Sequence, residues 1–98
     1  MAFFIPKIME FLPEVIKDYS ISFTEEEPQT LSELNRETWA NVMKPRMLSG
    51  HIQGRILSMI SKMISPESII EIGTYTGYSA LCLAEGIKKN GKLYTLDV

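Results

Sequence analysis

The chain has 98 residues, 45% of them hydrophobic and 22% charged, with a formal net charge of −2. This length allows one domain at most, and the composition is that of an ordinary globular protein. Lys and Arg form no run, which argues against a grip on a nucleic-acid backbone as the main activity. The single cysteine, Cys82, permits neither an internal disulfide nor a cysteine-based metal site, and it is consistent with a reducing cytoplasm.

The N-terminal region is apolar, but Lys7 and Glu10 interrupt it too early for a signal peptide. No segment approaches the roughly 18 apolar residues that a membrane span needs. Helical spacing of apolar residues over 6–20 is broken at Pro13, which we expect in the first turn of a fresh helix. The acidic segment 25–28 then predicts an exposed connector and not a ligand site.

Two further helices follow the connector. Residues 30–33 read Thr-Leu-Ser-Glu and match a capping box, so we expect Thr30 to cap a helix that runs to about Asn41. Trp39 on this helix is interpreted as a packing residue and not as a ligand platform. The next predicted helix covers residues 50–64 and ends at Ser65-Pro66.

The helix over 50–64 has a strong amphipathic pattern. Its polar residues Arg55, Ser58 and Lys62 are expected to face away from the core. The residues expected to face the core repeat at three- and four-residue steps: Ile52, Ile56, Met59, Ile60, Met63 and Ile64.

The last third of the chain predicts a β-α-β unit. A buried strand is expected over Ser68–Ile72, a helix over Gly77–Lys89 closed by Asn90-Gly91, and a second strand over Lys92–Val98. Cys82 is expected to be a buried small hydrophobe within the helix. The order of elements predicts an α/β fold in which the two strands are parallel and joined by a right-handed crossover.

The turn between the first strand and its helix is the candidate site. Gly73 is expected where the backbone turns sharply and a ligand comes close, and Gly77 where the helix starts close to the strand. Such a junction points backbone N–H groups at one spot. Asp97 follows Gly77 by 20 residues, the distance at which nucleotide-binding units place a carboxylate against a ribose diol.

The residues of the turn restrict the ligand. A dinucleotide fingerprint needs glycine where Tyr75 stands and a small residue where Tyr78 stands, and no Lys-Ser/Thr of a P-loop follows. Glu71 before the loop and Ser79 after it suit a ligand with an ammonium, a carboxylate and a ribose but no phosphate. S-adenosylmethionine (SAM) has that chemistry. From the residues alone, Glu71 also fits an ion pair or a helix cap, and Ser49 fits an N-cap.

The stretch 71–79, Glu-Ile-Gly-Thr-Tyr-Thr-Gly-Tyr-Ser, closely resembles the first motif of the cation-dependent catechol and caffeoyl-CoA type O-methyltransferases. The resemblance extends over most of the chain. It includes the segments 27–38, 47–54 and 91–97.

The resemblance implies a role for each matching residue. Ser79 would hold the methionine carboxylate of SAM, Asp97 the ribose hydroxyls, and Ser49 would close over the methionine moiety together with Met47. The residues implied in cofactor binding are Met47, Ser49, Glu71, Gly73, Thr74, Tyr75, Gly77, Tyr78, Ser79 and Asp97.

The resemblance also implies the architecture and the activity. Residues 1–66 would form a helical entry region and residues 67–98 the first β-α-β unit of a Rossmann-like methyltransferase sheet, an incomplete fold. The implied reaction is methyl transfer from SAM to a small aromatic hydroxyl, with a divalent cation and a catalytic base supplied by later strands. A homodimer packed through residues 3–5 is expected. The alternatives are a tRNA hydroxynucleoside methyltransferase, a non-catalytic cofactor-binding module and, least favoured, a nicotinamide dehydrogenase.

Overall fold

A computed structural model of the chain describes residues 12–42 and 48–97. Within these residues, three helices precede a β-α-β unit, which confirms the predicted α/β order. The elements are α1 (Glu14–Ser22), α2 (Gln29–Asn41), α3 (Gly50–Ile64), β1 (Ser68–Ile72), α4 (Tyr78–Ala84) and β2 (Lys92–Leu96). Met47 and the segment 3–5 lie outside the described residues, so the roles predicted for them are not addressed by the fold. None of the helices within the described ranges has the length and hydropathy to cross a membrane.

Prolines set the starts of α1 and α2. Pro13 and Pro28 have extended ψ values of 143° and 146° and stand directly before the first helical residue. The predicted capping box at Thr30 is wrong, because the Pro28 carbonyl already accepts the first helical bond, from Ser32 N at 2.9 Å. Thr30 therefore lies inside the helix. The end of α2 at Asn41 is as predicted.

The bounds predicted for α3 are confirmed, but the assignment of its faces is wrong. Arg55 and Ser58 are buried, whereas Lys62 is exposed as expected. The buried face carries small residues, Gly54 and Ser61 among them, which let α4 approach closely. The apolar residues Ile56, Met59, Ile60, Met63 and Ile64 are instead 44–77% exposed.

Helix α4 is shorter than predicted, because it ends at Ala84 and not at Lys89. The chain passes so close to α3 at Gly86 that a Cβ there would lie 2.3 Å from the Ser61 carbonyl carbon. Lys88 N then donates to the Pro66 carbonyl at 2.9 Å, which leads the chain back towards β1. Tertiary contacts therefore end this helix earlier than its sequence pattern indicates.

The two strands pair in parallel, with Ser68 opposite Lys92 and Ile72 opposite Leu96. One face of this sheet is highly exposed, and its residues are Ile70, Ile72, Tyr94 and Leu96. The prediction that β1 is a buried strand is therefore wrong for this chain, because no residue of β1 is buried by the described elements. On the other side of the unit, the buried core consists of Leu31, Tyr78 and Cys82. Cys82 is thus the buried small hydrophobe that was predicted, whereas Trp39 is 49% exposed and takes no part in this core.

Candidate functional site

The loop between β1 and α4 is a tight turn fastened to the end of β2. Gly73 N and Thr74 N both donate to the Leu96 carbonyl, at 2.7 and 3.2 Å. Gly77 N donates to the Thr74 carbonyl at 2.9 Å and closes the turn. These bonds place the loop at the carboxyl ends of two adjacent parallel strands, which is where open α/β sheets bind ligands.

Both glycines of the loop are required by backbone conformation. Gly73 has φ of +100° and Gly77 has φ of +94°, values that L-residues rarely adopt. The close approach of helix to strand predicted at Gly77 is wrong, because a Cβ there would meet nothing within 4 Å. Tyr75 between them also has a positive φ, of +52°. The loop therefore has a conformation that is held by its surroundings.

Glu71 lies at the centre of a group of hydroxyls behind the loop. Its Oε1 accepts a hydrogen bond from Thr95 at 2.8 Å, and its Oε2 accepts one from the Ser79 hydroxyl. Thr95 also pairs with Thr74 at 2.6 Å. These bonds connect β1, β2, the loop and α4, and they orient the carboxylate that the sequence singles out.

Asp97 follows β2 and lies against the same loop. Its Oδ2 accepts a hydrogen bond from Tyr75 N at 3.1 Å. The side chain is exposed, so a carboxylate oxygen can also be reached from outside. Asp97, which the sequence singles out by its spacing from the loop, thus lies beside Tyr75 of that loop.

Tyr78, the first residue of α4, is only 2% exposed. Its hydroxyl donates a hydrogen bond to Glu27 in the connector between α1 and α2. Burial raises the pKa of Tyr78 well above its ordinary value, and the neighbouring Glu27 carboxylate adds to the rise. The phenol therefore remains protonated and donates.

A small cleft of about 50 Å³ brings several of the predicted residues together. Ser49 reaches it from the start of α3 without making a side-chain capping bond, so the N-cap interpretation of Ser49 is not supported. Among the described residues, those that line the cleft are Leu48, Ser49, Gly73, Thr74, Tyr75, Tyr78 and Ser79. None of these is basic, whereas the acidic Glu71 is hydrogen-bonded directly to Ser79.

A polar cluster around the buried side chains of Arg55 and Ser58 was missed from the sequence. Arg55 donates to Glu85 at 2.7 and 3.0 Å and to Glu25 at 3.0 Å, and Ser58 donates to Glu85 at 2.7 Å. The hydrogen bond to Glu85 raises the pKa of Arg55, and the same bond lowers the pKa of Glu85. The connector 25–28 is therefore not merely a solvated loop, because Glu25 and Glu27 hold Arg55 and Tyr78. The sequence indicates this cluster in one way, because an arginine lies among small residues at helical spacing in α3.

A larger, open groove of about 560 Å³ lies between residues 23–25 and α3 and contains none of the predicted site residues. Its lining includes the apolar side chains of Ile56 and Met59. Within residues 12–42 and 48–97, no three His, Cys, Asp or Glu side chains come together as a metal site. The chemistry of the described region is therefore concentrated at the β1–α4 loop.

Comparison with known families agrees with this geometry. The model of the O-methyltransferase family matches residues 20–98, which is most of the chain and includes the whole loop and Asp97. The chain belongs to the O-methyltransferase family. The resemblance on which the sequence analysis relied is thereby confirmed at the level of the family.

Curated relatives of this chain include caffeoyl-CoA O-methyltransferases of plants. The chain is 38% identical over 72 residues to caffeoyl-CoA O-methyltransferase 5 of Nicotiana tabacum, covering 74% of the chain and 30% of that protein. It is 36% identical to caffeoyl-CoA O-methyltransferase 1 of Arabidopsis thaliana, covering 74% of the chain and 27% of that protein. The chain thus spans somewhat under a third of the length of these relatives.

Solved methyltransferases share the fold. The SAH-bound methyltransferase PaMTH1 of Podospora anserina superposes with a TM-score of 0.79 at 26% identity, over 90% of this chain and 41% of that one. The SAH complex of an O-methyltransferase from Bacillus cereus gives a TM-score of 0.73 at 27% identity, over 85% and 37%. The SAM complex of TomG from Streptomyces achromogenes, an O-methyltransferase of tomaymycin synthesis, gives a TM-score of 0.71 at 26% identity. That superposition covers 83% of this chain and 36% of TomG.

Proposed function

We propose that this chain supplies the methyl-donor site of a SAM-dependent O-methyltransferase. The observation that carries the proposal is the fastened loop at the ends of β1 and β2, with Glu71 on one side and Asp97 on the other. Residues 1–66 would be its helical entry region and 67–98 its first cofactor-binding unit. Further strands and the acceptor site would come from residues beyond this chain. The complete protein is the polypeptide that contains both this chain and those residues.

The charge of the site supports SAM over a phosphorylated cofactor. SAM carries a sulfonium and an ammonium, and both are attracted by nearby carboxylates. A pyrophosphate would instead be repelled by Glu71 and Asp97, and the described lining offers it no Lys or Arg. The cleft volume of about 50 Å³ is small beside a whole cofactor site of roughly 300 Å³ or more. It corresponds to one end of SAM, with the remainder enclosed by the rest of the protein.

Each predicted residue has a role in the proposed complex. Asp97 accepts hydrogen bonds from the ribose hydroxyls, Gly73 and Thr74 line the path from ribose to methionine, and Ser49 closes over the methionine moiety with Met47. The Ser79 hydroxyl now donates to Glu71, so binding of the ligand carboxylate would redirect that hydrogen bond. Glu71 would then be free to accept from the ligand ammonium.

The proposed acceptor is a small aromatic diol or an acyl-CoA phenol, as in the names of the plant relatives. Deprotonation of such a hydroxyl is assisted by a divalent cation that lowers its pKa. The described residues do not fit such a cation, so its ligands are proposed to lie in the later strands. We further propose that the complete protein is a cytoplasmic homodimer. The homodimer rests on the resemblance, and the cytoplasmic location rests on the single cysteine, Cys82.

Incubation of the complete protein with SAM labelled on its methyl group tests the activity. Catechol, caffeoyl-CoA and bulk tRNA are offered in separate reactions, each with Mg²⁺ and with excess chelator. Label on a small aromatic acceptor that depends on Mg²⁺ is the expected result. Label on tRNA alone would favour the hydroxynucleoside alternative. Binding of SAM with no transfer to any acceptor would favour a non-catalytic module.

A further inference from the structure

Tyr78 links the donor cleft to a part of the chain that the motif does not include. It is buried at the start of α4, one side of it lines the cleft, and its hydroxyl reaches Glu27. Glu27 is 51 residues earlier in the chain and half-buried. The bond therefore fixes the far end of a side chain whose own backbone lies between Gly77 and Ser79.

The ring of Tyr78 packs closely against the backbone of α3. A Cβ added at Gly54 would lie 2.8 Å from Tyr78 Cε1 and 2.8 Å from Cys82 Sγ. The glycine thus lets the ring lie against the α3 backbone, and the hydroxyl is the polar atom that needs a partner in this buried place. Glu27 supplies that partner.

The connector that carries Glu27 is itself anchored. Glu25 accepts from Arg55 at 3.0 Å, and Arg55 is held in turn by Glu85 at 2.7 Å. Glu26 between the two anchored carboxylates is exposed, and its side chain makes no hydrogen bond or ion pair to another residue of the described ranges. The connector is therefore attached to α3 and α4 on both sides of Glu26.

We propose that Glu27 is a positioning residue of the donor site, acting through Tyr78 on the backbone of residues 77–79. The inference rests on the proposed function, in which this backbone and Ser79 face the amino-acid end of SAM. Loss of the Glu27 bond leaves a buried phenol without its partner, and the ring and the attached backbone move to find another. Affinity for the amino-acid end falls, while the contact of Asp97 with the ribose remains.

Two ligands that differ mainly in the amino-acid end test the proposal on the complete protein. S-adenosylhomocysteine carries that end, and 5′-methylthioadenosine lacks it. Calorimetric titration of Glu27→Ala is expected to show about tenfold weaker binding of S-adenosylhomocysteine, with binding of 5′-methylthioadenosine changed less than about twofold. Tyr78→Phe removes the buried hydroxyl together with its need for a partner, so it is expected to weaken binding of S-adenosylhomocysteine less than Glu27→Ala does. Glu27→Gln retains an acceptor oxygen and is expected to restore most of the affinity. Glu26→Ala is the matched control and should bind both ligands as the wild type does.

Unchanged affinity for S-adenosylhomocysteine in both Glu27→Ala and Tyr78→Phe would overturn the positioning role. Equal weakening of both ligands, in proportion to a lowered melting temperature, would also overturn it, because that is the behaviour of a purely structural contact. These outcomes leave the proposed function intact. Failure of the wild type to bind S-adenosylhomocysteine at all would instead remove the proposed function.

Discussion

At the scale of single residues, carboxylates organise this molecule. Glu71 accepts hydrogen bonds from hydroxyls of β2 and α4, Asp97 holds the loop at Tyr75, and Glu85 neutralises the buried Arg55. Each is hydrogen-bonded in a defined direction, so removal of one affects a specific neighbour and not a general charge balance. Two of them face the proposed ligand, whereas Glu85 serves the packing of α3 against α4.

Removal of the Asp97 carboxylate should weaken SAM binding. Asp97→Ala is expected to cost about 1–3 kcal/mol of binding free energy, since a charged hydrogen-bond acceptor is lost. Calorimetry on the complete protein measures this loss. Asp97→Asn, which still offers an oxygen to Tyr75 N, separates the ribose role from the loop contact and should retain the fold with intermediate affinity. Asp18→Ala, on the exposed side of α1, serves as the control, and an Asp97→Ala affinity equal to it would remove Asp97 from the site.

Glu85 should make stability depend on acid pH. Because the Arg55 bond lowers the pKa of Glu85 in the folded state, its contribution is fully present above the unfolded-state pKa of about 4.3 and is lost as pH falls through the lower folded-state value. Urea unfolding of the complete wild-type protein is therefore expected to show a falling free energy of unfolding below about pH 4.5. Glu85→Gln should be less stable at pH 6 and show a shallower decline. Parallel curves for the two proteins would contradict this role of Glu85.

At the scale of elements, close helix packing depends on residues without side-chain bulk. The interface of α3 with α4 has Gly54 and Gly86 at its nearest points, and Arg55 enters it only because Glu85 and Glu25 compensate its charge. A hydrophobicity pattern cannot reveal such an interface. This is why the polar face of α3 was predicted to lie outside and α4 was predicted to be longer than it is.

Gly86→Ala should separate the two helices. The added Cβ would lie 2.3 Å from the Ser61 carbonyl carbon and 2.4 Å from Lys62 N, and backbone atoms cannot move aside without shifting the helix. A loss of about 1–3 kcal/mol in the free energy of unfolding is expected from such overpacking. Gln53→Ala on the exposed side of α3 is the control and should change stability by less than about 0.5 kcal/mol. Chemical denaturation of both variants gives the comparison, and equal stabilities would contradict the close approach.

Local features of the site were accessible from the sequence because they depend on nearby residues. The sharp turn at Gly73, the strand β1 and the bounds of α3 follow from a glycine, an apolar run and helix periodicity. The contacts of Glu27 with Tyr78 and of Arg55 with Glu25 join residues far apart in the chain, and no local pattern encodes them. The short acidic connector therefore gave no sign of its partners.

At the scale of the whole molecule, much apolar surface remains uncovered. On the outer sheet face, Ile70 is 72% and Ile72 is 85% exposed, and the outward stripe of α3 adds Met59 and Met63. Parallel sheets in α/β proteins are normally covered on both faces. The surface is therefore what we expect if strands and helices beyond this chain complete the domain.

The 98-residue chain on its own is predicted to be unstable or to associate through the open edge of β1 and the uncovered face. Sedimentation velocity and hydrogen exchange on the isolated chain measure this. Replacement of Ile70 and Ile72 by lysine should reduce association without restoring protection, and the complete protein provides the protected reference. A monomer with well-protected strands would contradict the prediction.

The loop between β1 and α4 is proposed to hold SAM. The decisive measurement is calorimetric titration of the complete protein with SAM and, separately, with NAD. We expect saturable binding of SAM at one site per chain and no binding of NAD, because Tyr75 and Tyr78 occupy positions where a dinucleotide needs small residues. Binding of NAD without binding of SAM would contradict it.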